Sequence, residues 1–281
     1  MIQNWVDRDD DGRADGGYVG LTPLLDAAET WGLGILSGVP YQLFRAANGK
    51  DAVGAQREFV WLQLLNQGHR LACVAVSDAH SVHGSGTGGW RTYVRSSTDD
   101  PARIDWKEIV RNAKAGRTLV TTGPFLEVTT EDGTGPGGST RAHAGVRLHV
   151  KVQCSDWLRI DRVQVLINGR PSPRLNFTRA THPDYFHDGT VQFERDLGVP
   201  LAEDAHLIVV ALGEHSDLGV GFGTSGQSRW KPCAYHNPIY VDLDGQGWKP
   251  NGDTLGWELP VRRVDPEEVR LLLESRAKPT P

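Results

Sequence analysis

The chain has little of what several functional classes require. Basic charge is not in excess: 30 Lys and Arg stand against 35 Asp and Glu, a formal net charge of -5. The positive field on which phosphate-backbone binding depends is therefore missing, and nucleic acid is not expected as a partner. No apolar run approaches the roughly 18 to 20 residues of a membrane span. The opening segment, MIQNWVDRDDDGRADGG, has neither the basic n-region nor the apolar h-region of a secretory signal. A soluble chain without a signal peptide is expected, with its compartment left open.

Cysteine is scarce too. Cys73, Cys154 and Cys233 are far apart and make no CxxC or zinc-finger spacing. Their odd number argues against a disulfide framework. Cys73 and Cys154 fall within apolar strand patterns and are expected to be buried, inert thiols. The ten histidines include no His-x-His pair, and only His69, His80 and His83 lie in the first 124 residues.

What is present divides the 281 residues into two regimes. Residues 1–20, rich in Asp and Gly, read as a loop, and a first strand is expected around Leu24 to Thr30. In GAQREFVWLQLLNQ, Phe59, Leu62 and Leu65 recur with Trp61 at helical spacing, and Gly68 follows as a C-cap. Leu71 to Val76 is a continuous apolar run, the pattern of a strand buried on both faces of a parallel sheet. Ser77-Asp78-Ala79-His80 then marks its C-terminal end, where α/β folds collect catalytic groups. A glycine-rich loop, the strand WRTYV, a helix over Ile104 to Ala115 with Ile104, Ile109 and Ala113 inward, and the strand RTLVTT complete this part.

Beyond Phe125 the period becomes two. Val146, Leu148, Val150, Val152 and Cys154 alternate with polar residues, and Val163, Val165 and Ile167 repeat the pattern before an Asn168-Gly169 turn. Further strands are expected over Gly189 to Leu197 and His206 to Leu212, with no convincing helix between them. The predicted fold class is α/β followed by all-β. Residues 1–124 form the α/β part, 125–245 an antiparallel β-sandwich, and 246–281 a tail ending in a short helix. That helix has Asp265 as N-cap, Pro266 at N1, and Val269, Leu272 and Leu273 as its apolar stripe.

Asp78 and His80 are the sharpest chemical signal. Two residues apart on an extended strand, they would project to one side with Cα atoms roughly 6 to 7 Å apart. A carboxylate with an imidazole suits zinc, manganese or iron. The plainer alternative is that Asp78 caps the following loop and His80 is an ordinary loop histidine. Asp7, Asp9, Asp11 and Asp15, with Gly12 between them, match the start of a calcium loop, although position 12 is Tyr18 rather than a bidentate Glu. A solvated acidic loop is the alternative there. Asp242-Leu243-Asp244-Gly245 reads first as an Asp-Gly turn. Trp230, Tyr235, Trp248 and Trp257 would be a sugar-stacking surface or, more commonly, core.

Several stretches together resemble the polymerase and histidinol phosphatase (PHP) superfamily, in its CehA/McbA-like metallohydrolase branch. They are DAAETW at Asp26 to Trp31, FVWLQLLNQGHRLACVAVSDAH at Phe59 to His80, GGWRTYV at Gly88 to Val94, AGRTLVTTGPFLEV at Ala115 to Val128 and PCAYHNPIYVDLDGQGW at Pro232 to Trp248. The resemblance implies a partial, distorted β/α barrel of the PHP type followed by the sandwich. It implies two or three metal ions, and hydrolysis of phosphoester, carbamate, amide or ester bonds in a small-molecule substrate. Asp78 and His80 would be metal ligands, with Arg91 and His83 as catalytic residues at the mouth of the site. The family's N-terminal His-x-His half has no counterpart here. The chain is therefore expected to be a C-terminal fragment or divergent member, incomplete as a catalyst alone, with the missing half supplied by another chain. The alternative from another class is a non-catalytic β-sandwich binding module with calcium-stabilised loops.

Overall fold

The computed structural model describes residues 25–30, 34–46, 48–80, 88–259 and 265–277. It is a mixed α/β chain dominated by strands, which fall into several sheets. In chain order the first strands are β1 (Ala27–Glu29), β2 (Tyr41–Arg45), β3 (Asp51–Ala55), β4 (Ala72–Val74), β5 (Arg91–Val94), β6 (Thr118–Thr121) and β7 (Phe125–Thr130). They are followed by β8 (Ser139–Arg141), β9 (Gly145–Gln153), β10 (Arg162–Ile167), β11 (Arg170–Thr178), β12 (Val191–Pro200), β13 (Ala205–Leu212), β14 (Cys233–His236) and β15 (Ile239–Asp242). The helices are α1 (Arg57–Asn66), α2 (Trp106–Lys114) and α3 (Pro266–Ala277).

The central element is an eight-stranded sheet whose main path runs β11-β10-β13-β14-β6-β5, with β15 and β8 branching from β13. Strict alternation along β13 makes it two-sided. Leu207, Val209 and Ala211 join one core, while Ile208, Val210 and Leu212 join another. The first core lies against an antiparallel three-stranded sheet, β12-β9-β7. That sheet contributes Leu126, Val128, Leu148, Val150, Val152 and Phe193. The polar partners of this alternation, Arg147 and His149, are exposed as the period-two pattern requires. The second core holds α1 with the small parallel pair β1-β4.

Two sequence expectations change here. The large sheet crosses the expected boundary at 124, since β5 and β6 pair with each other and β6 pairs antiparallel with β14. Their short apolar runs carry no mark of which sheet they enter. Leu71 to Val76 is not the central strand of a parallel sheet: among the described residues β4 pairs only with β1, and Val76 is half exposed. No sheet closes into a barrel among the described residues.

α1 is buried from Glu58 to Asn66, including its polar residues. The residues expected to be a tail cover that polar side. Gln63 Nε2 donates to Thr254 O (2.8 Å) and Trp257 O (3.1 Å), and Asn66 Nδ2 donates to Asp253 O (3.0 Å) and Asn168 O (3.1 Å). In α2, Asp105 caps Lys107 N at 2.9 Å, but Ile104 is exposed rather than inward, and the buried residue is Asn112. α3 matches its sequence reading. Asp265 accepts from Glu267 N (2.8 Å), and Val269, Leu272 and Leu273 pack on Tyr41, Leu43 and Val53 of the β2-β3 hairpin.

Candidate functional site

The segment that carries Asp78 and His80 is positioned by β4, and β4 is held to the large sheet by side chains rather than by a backbone ladder. The Asn237 side chain, buried after β14, accepts from Cys73 N (2.7 Å) and donates to Cys73 O (3.0 Å), as a neighbouring strand would. Thr118 Oγ1 of β6 donates to the same carbonyl (3.3 Å). Two residues on, Thr92 Oγ1 of β5 accepts from Ala75 N (2.7 Å) and donates to Ala75 O (2.8 Å). On the other side Thr30 N donates to Val74 O (2.8 Å), and Trp61 Nε1 donates to Leu71 O (2.8 Å). Tyr235 fixes Thr30 in turn, its hydroxyl donating to Thr30 Oγ1 at 2.9 Å. These bonds satisfy the backbone of a strand that, among the described residues, has a strand partner along only one edge.

Asp78 and His80 are therefore not on a strand tip. β4 ends at Val74, and Asp78 sits in an irregular segment with a left-handed backbone, φ 49°. Aspartate tolerates that conformation better than most residues. The turn, rather than strand parity, brings the two side chains together. His80 Nδ1 lies 2.7 Å from Asp78 O and 3.9 Å from Asp78 Oδ1. With Nδ1 protonated and donating to that carbonyl, Nε2 carries the free lone pair, the arrangement that orients metal-ligating imidazoles. Both side chains are exposed, 80% for His80 and 59% for Asp78. Chemically they offer one oxygen and one nitrogen donor to solvent, fewer than the three protein ligands of a catalytic zinc centre.

Arg91 holds the chain that returns toward this segment. Its Nη1 donates to Gly88 O (2.6 Å) and Gly89 O (3.3 Å), its Nε to the Tyr93 hydroxyl (3.3 Å), and the guanidinium lies 5.7 Å from the Tyr93 ring centre. Its partners among the described residues are thus loop carbonyls and the Tyr93 hydroxyl. His83, the other expected catalytic residue, lies outside the described residues, as do Asp7, Asp9, Asp11 and Asp15 of the expected calcium loop.

Gln227 carries no signal in the sequence, yet it joins the two stretches that flank residues 81–87. Its Nε2 donates to Ser77 O (3.3 Å), and its side chain packs so tightly on Gly89 that a Cβ there would lie 1.5 Å from Gln227 Oε1. The residue is buried in a short 3-10 turn, Gly226–Arg229, far from both stretches in sequence.

A second acidic group is formed by Asp204, Asp242 and Asp244, whose carboxylate oxygens lie within 4.8 Å of one another. These carboxylates serve as turn acceptors. Asp242 accepts from Gly245 N (2.7 Å) and Gly247 N (2.9 Å), and Asp204 from Leu243 N and Lys249 N (both 2.9 Å). Asp244 pairs with Lys249 Nζ, and that hydrogen bond holds its carboxyl below the usual range. The Asp-Gly turn expected from the sequence accounts for the arrangement.

The remaining reactive groups are in the interior. All three thiols are free and buried; desolvation pushes Cys154 up to about 11 and Cys73 and Cys233 further, so all three are protonated at neutral pH. The aromatics do not share a surface. Tyr235 is core beside Trp61 and Trp90, Trp230 packs on Trp90, Trp248 on Tyr240, and Trp257 on Tyr41. No helix among the described residues is long and apolar enough to cross a membrane. No family model, no curated protein and no solved structure matches the chain.

Proposed function

We propose that this chain contributes Asp78 and His80 to the metal centre of a PHP-type hydrolase of the CehA/McbA-like branch. The observation that supports the reading is their placement together: an exposed carboxylate and imidazole follow the C-terminal end of a parallel-paired strand, with the His80 tautomer set by a backbone carbonyl. α/β folds collect ligands at that end of their strands. A bound zinc, manganese or iron ion would supply Lewis acidity toward a phosphoester, carbamate, amide or ester. Asp78 and His80 would hold it, and Arg91, through the Gly88 and Gly89 carbonyls, would shape the loop beside it. The remaining ligands of the centre belong, in this reading, to the family's His-x-His half.

The test is metal content by mass spectrometry together with turnover of p-nitrophenyl phosphate, bis-p-nitrophenyl phosphate and a p-nitrophenyl carbamate. Both are measured for the chain alone and for the chain joined to whatever the upstream DNA encodes. The chain alone should bind metal weakly and turn over little. With a His-x-His half restored, Asp78→Ala or His80→Ala should lower metal content and turnover by orders of magnitude, because losing one ligand disrupts the centre. Metal content indifferent to both substitutions would reject the assignment.

A further inference from the structure

A cleft of about 1140 Å³ lies where the two main sheets stop matching in width. β7 is an edge of the three-stranded sheet and packs over β14 and β6, so the outer strand β5 of the larger sheet extends beyond it. The edge of β7 from Phe125 to Val128, which no described strand pairs, therefore forms one wall, the turn at Gly133 to Gly135 closes one end, and the face of β5 and β6 forms the floor.

The direction of the free backbone groups on β7 follows from its neighbours. Thr130 N donates to Thr134 O and Thr130 O accepts from Gly133 N, both at 2.9 Å, so Thr130 faces away from β9. The register with β9 is unbroken, so Leu126 and Val128 also direct N–H and C=O away from β9. No hydrogen bond joins these groups to any described residue. Donors and acceptors at strand spacing match another strand and not a compact ligand.

The floor specifies the charge of that strand. Arg95 and Arg117 are direct cross-strand neighbours, joined by Arg95 N to Arg117 O at 3.1 Å. By strand parity they share the face of Tyr93 and Leu119, and Leu119 belongs to the core beneath β7. Like charges directly opposite are unfavourable. Neither guanidinium has a carboxylate partner among the described residues, Arg117 reaching only Asn112 Oδ1 at 3.1 Å. The two acids of the cleft stay apart from this pair: Glu108 accepts from Ser97 Oγ and Glu127 from Gln153 Nε2, each at 2.8 Å, and neither forms an ion pair with Arg95 or Arg117. Tyr93 and Phe125, edge to face at 5.6 Å, mark one end of the cleft.

We propose that this cleft binds an extended acidic peptide, which adds to β7 as the fourth strand of the small sheet and directs alternate carboxylates to Arg95 and Arg117. Backbone pairing supplies the docking and the two arginines supply the selectivity.

The probes are a fluorescent hexapeptide of alternating valine and glutamate, its valine-lysine counterpart, and two glutamate peptides N-methylated at one or the other set of alternate amides. Binding to the full chain is read by fluorescence anisotropy. The glutamate peptide should bind and the lysine peptide should not, and one N-methylated set should lose binding while the other keeps it. Arg95→Gln with Arg117→Gln should weaken binding by roughly tenfold or more, the loss expected for charge-assisted contacts. Arg95→Glu with Arg117→Glu should transfer preference to the lysine peptide, with circular dichroism confirming the fold of both variants. The proposal fails if no peptide binds, if both charges bind alike, if both N-methylated peptides bind as well as the parent, or if sedimentation shows a second copy of the chain already paired along β7.

Discussion

Replacing Asn237 with alanine should loosen the strand that carries Asp78 and His80 while leaving the rest of the fold in place. The Asn237 amide is the lateral partner of Cys73, accepting from its N–H and donating to its C=O, and all three groups are buried. Alanine leaves the N–H without a partner, whereas the carbonyl keeps the weaker bond from Thr118 Oγ1 at 3.3 Å. An unsatisfied buried backbone group costs about 1–3 kcal/mol, and a lost second bond adds about 1 kcal/mol, so the expected loss is roughly 2–4 kcal/mol. That is a large part of the roughly 5–15 kcal/mol of stability of a typical domain. Asn237→Asp should be no milder, because its carboxylate can accept from Cys73 N–H but opposes the Cys73 carbonyl. Urea unfolding gives the stability, and hydrogen exchange of the Cys73 amide gives its location. An alanine variant within about 0.5 kcal/mol of the parent, the range of neutral surface changes, with the Cys73 amide equally protected, would refute the reasoning.

Gly89→Ala should lower stability by about 1–3 kcal/mol, the usual cost of overpacking, because its Cβ would lie 1.5 Å from Gln227 Oε1. The same change in a Gln227→Ala background should cost less, and a double-mutant cycle by urea unfolding reads the difference. Stability should fall with acidification below about pH 6.5, because burial depresses His206 to about 3 and His236 to about 4. The unfolded chain then binds more protons than the folded one between the ordinary and the depressed values. Stability is thus complete above pH 6.5 and declines toward pH 4 and 3, by about 1.4 kcal/mol per pH unit for each histidine. Urea titrations from pH 7 to 4 in which the decline is absent, or is undiminished in His206→Gln and His236→Gln, would contradict this. In the native protein at pH 8, iodoacetamide should label none of Cys73, Cys154 and Cys233, and in urea it should label all three, as counted by intact mass; rapid native labelling would contradict their burial.

Local pattern was enough to determine many of the elements. Alternation from Val146 to Cys154 can bury one face only as a strand, and β9 is that strand. Asn168 and Gly169 both adopt positive φ at the β10-β11 turn, a conformation that asparagine tolerates and that glycine, with no Cβ, adopts freely. Asp265, Pro266 and the Val269, Leu272, Leu273 stripe marked α3 in the same local way. The β2-β3 hairpin has a comparable turn in Asn48-Gly49, with Gly49 at φ 74°, but the flanking apolar pattern is too short to mark its strands.

Tertiary structure decided the partners. Ala72–Val74 is apolar enough for the middle of a parallel sheet, yet among the described residues it lies beside one strand and is held by Asn237, Thr118 and Thr92 from distant parts of the chain. β5 and β6 have the same local pattern whether they end an α/β unit or enter the large sheet, and only pairing with β14 distinguishes the two. The candidate site divides in the same way. The residue types at Asp78 and His80 were legible in sequence, but their proximity comes from a left-handed turn, and Gln227, 150 residues from Ser77, joins the flanking backbone. Secondary structure follows from interactions between near neighbours, which the order of residues states directly. Which strand edges meet, and which side chain takes the place of a missing strand, is fixed only when the whole core closes.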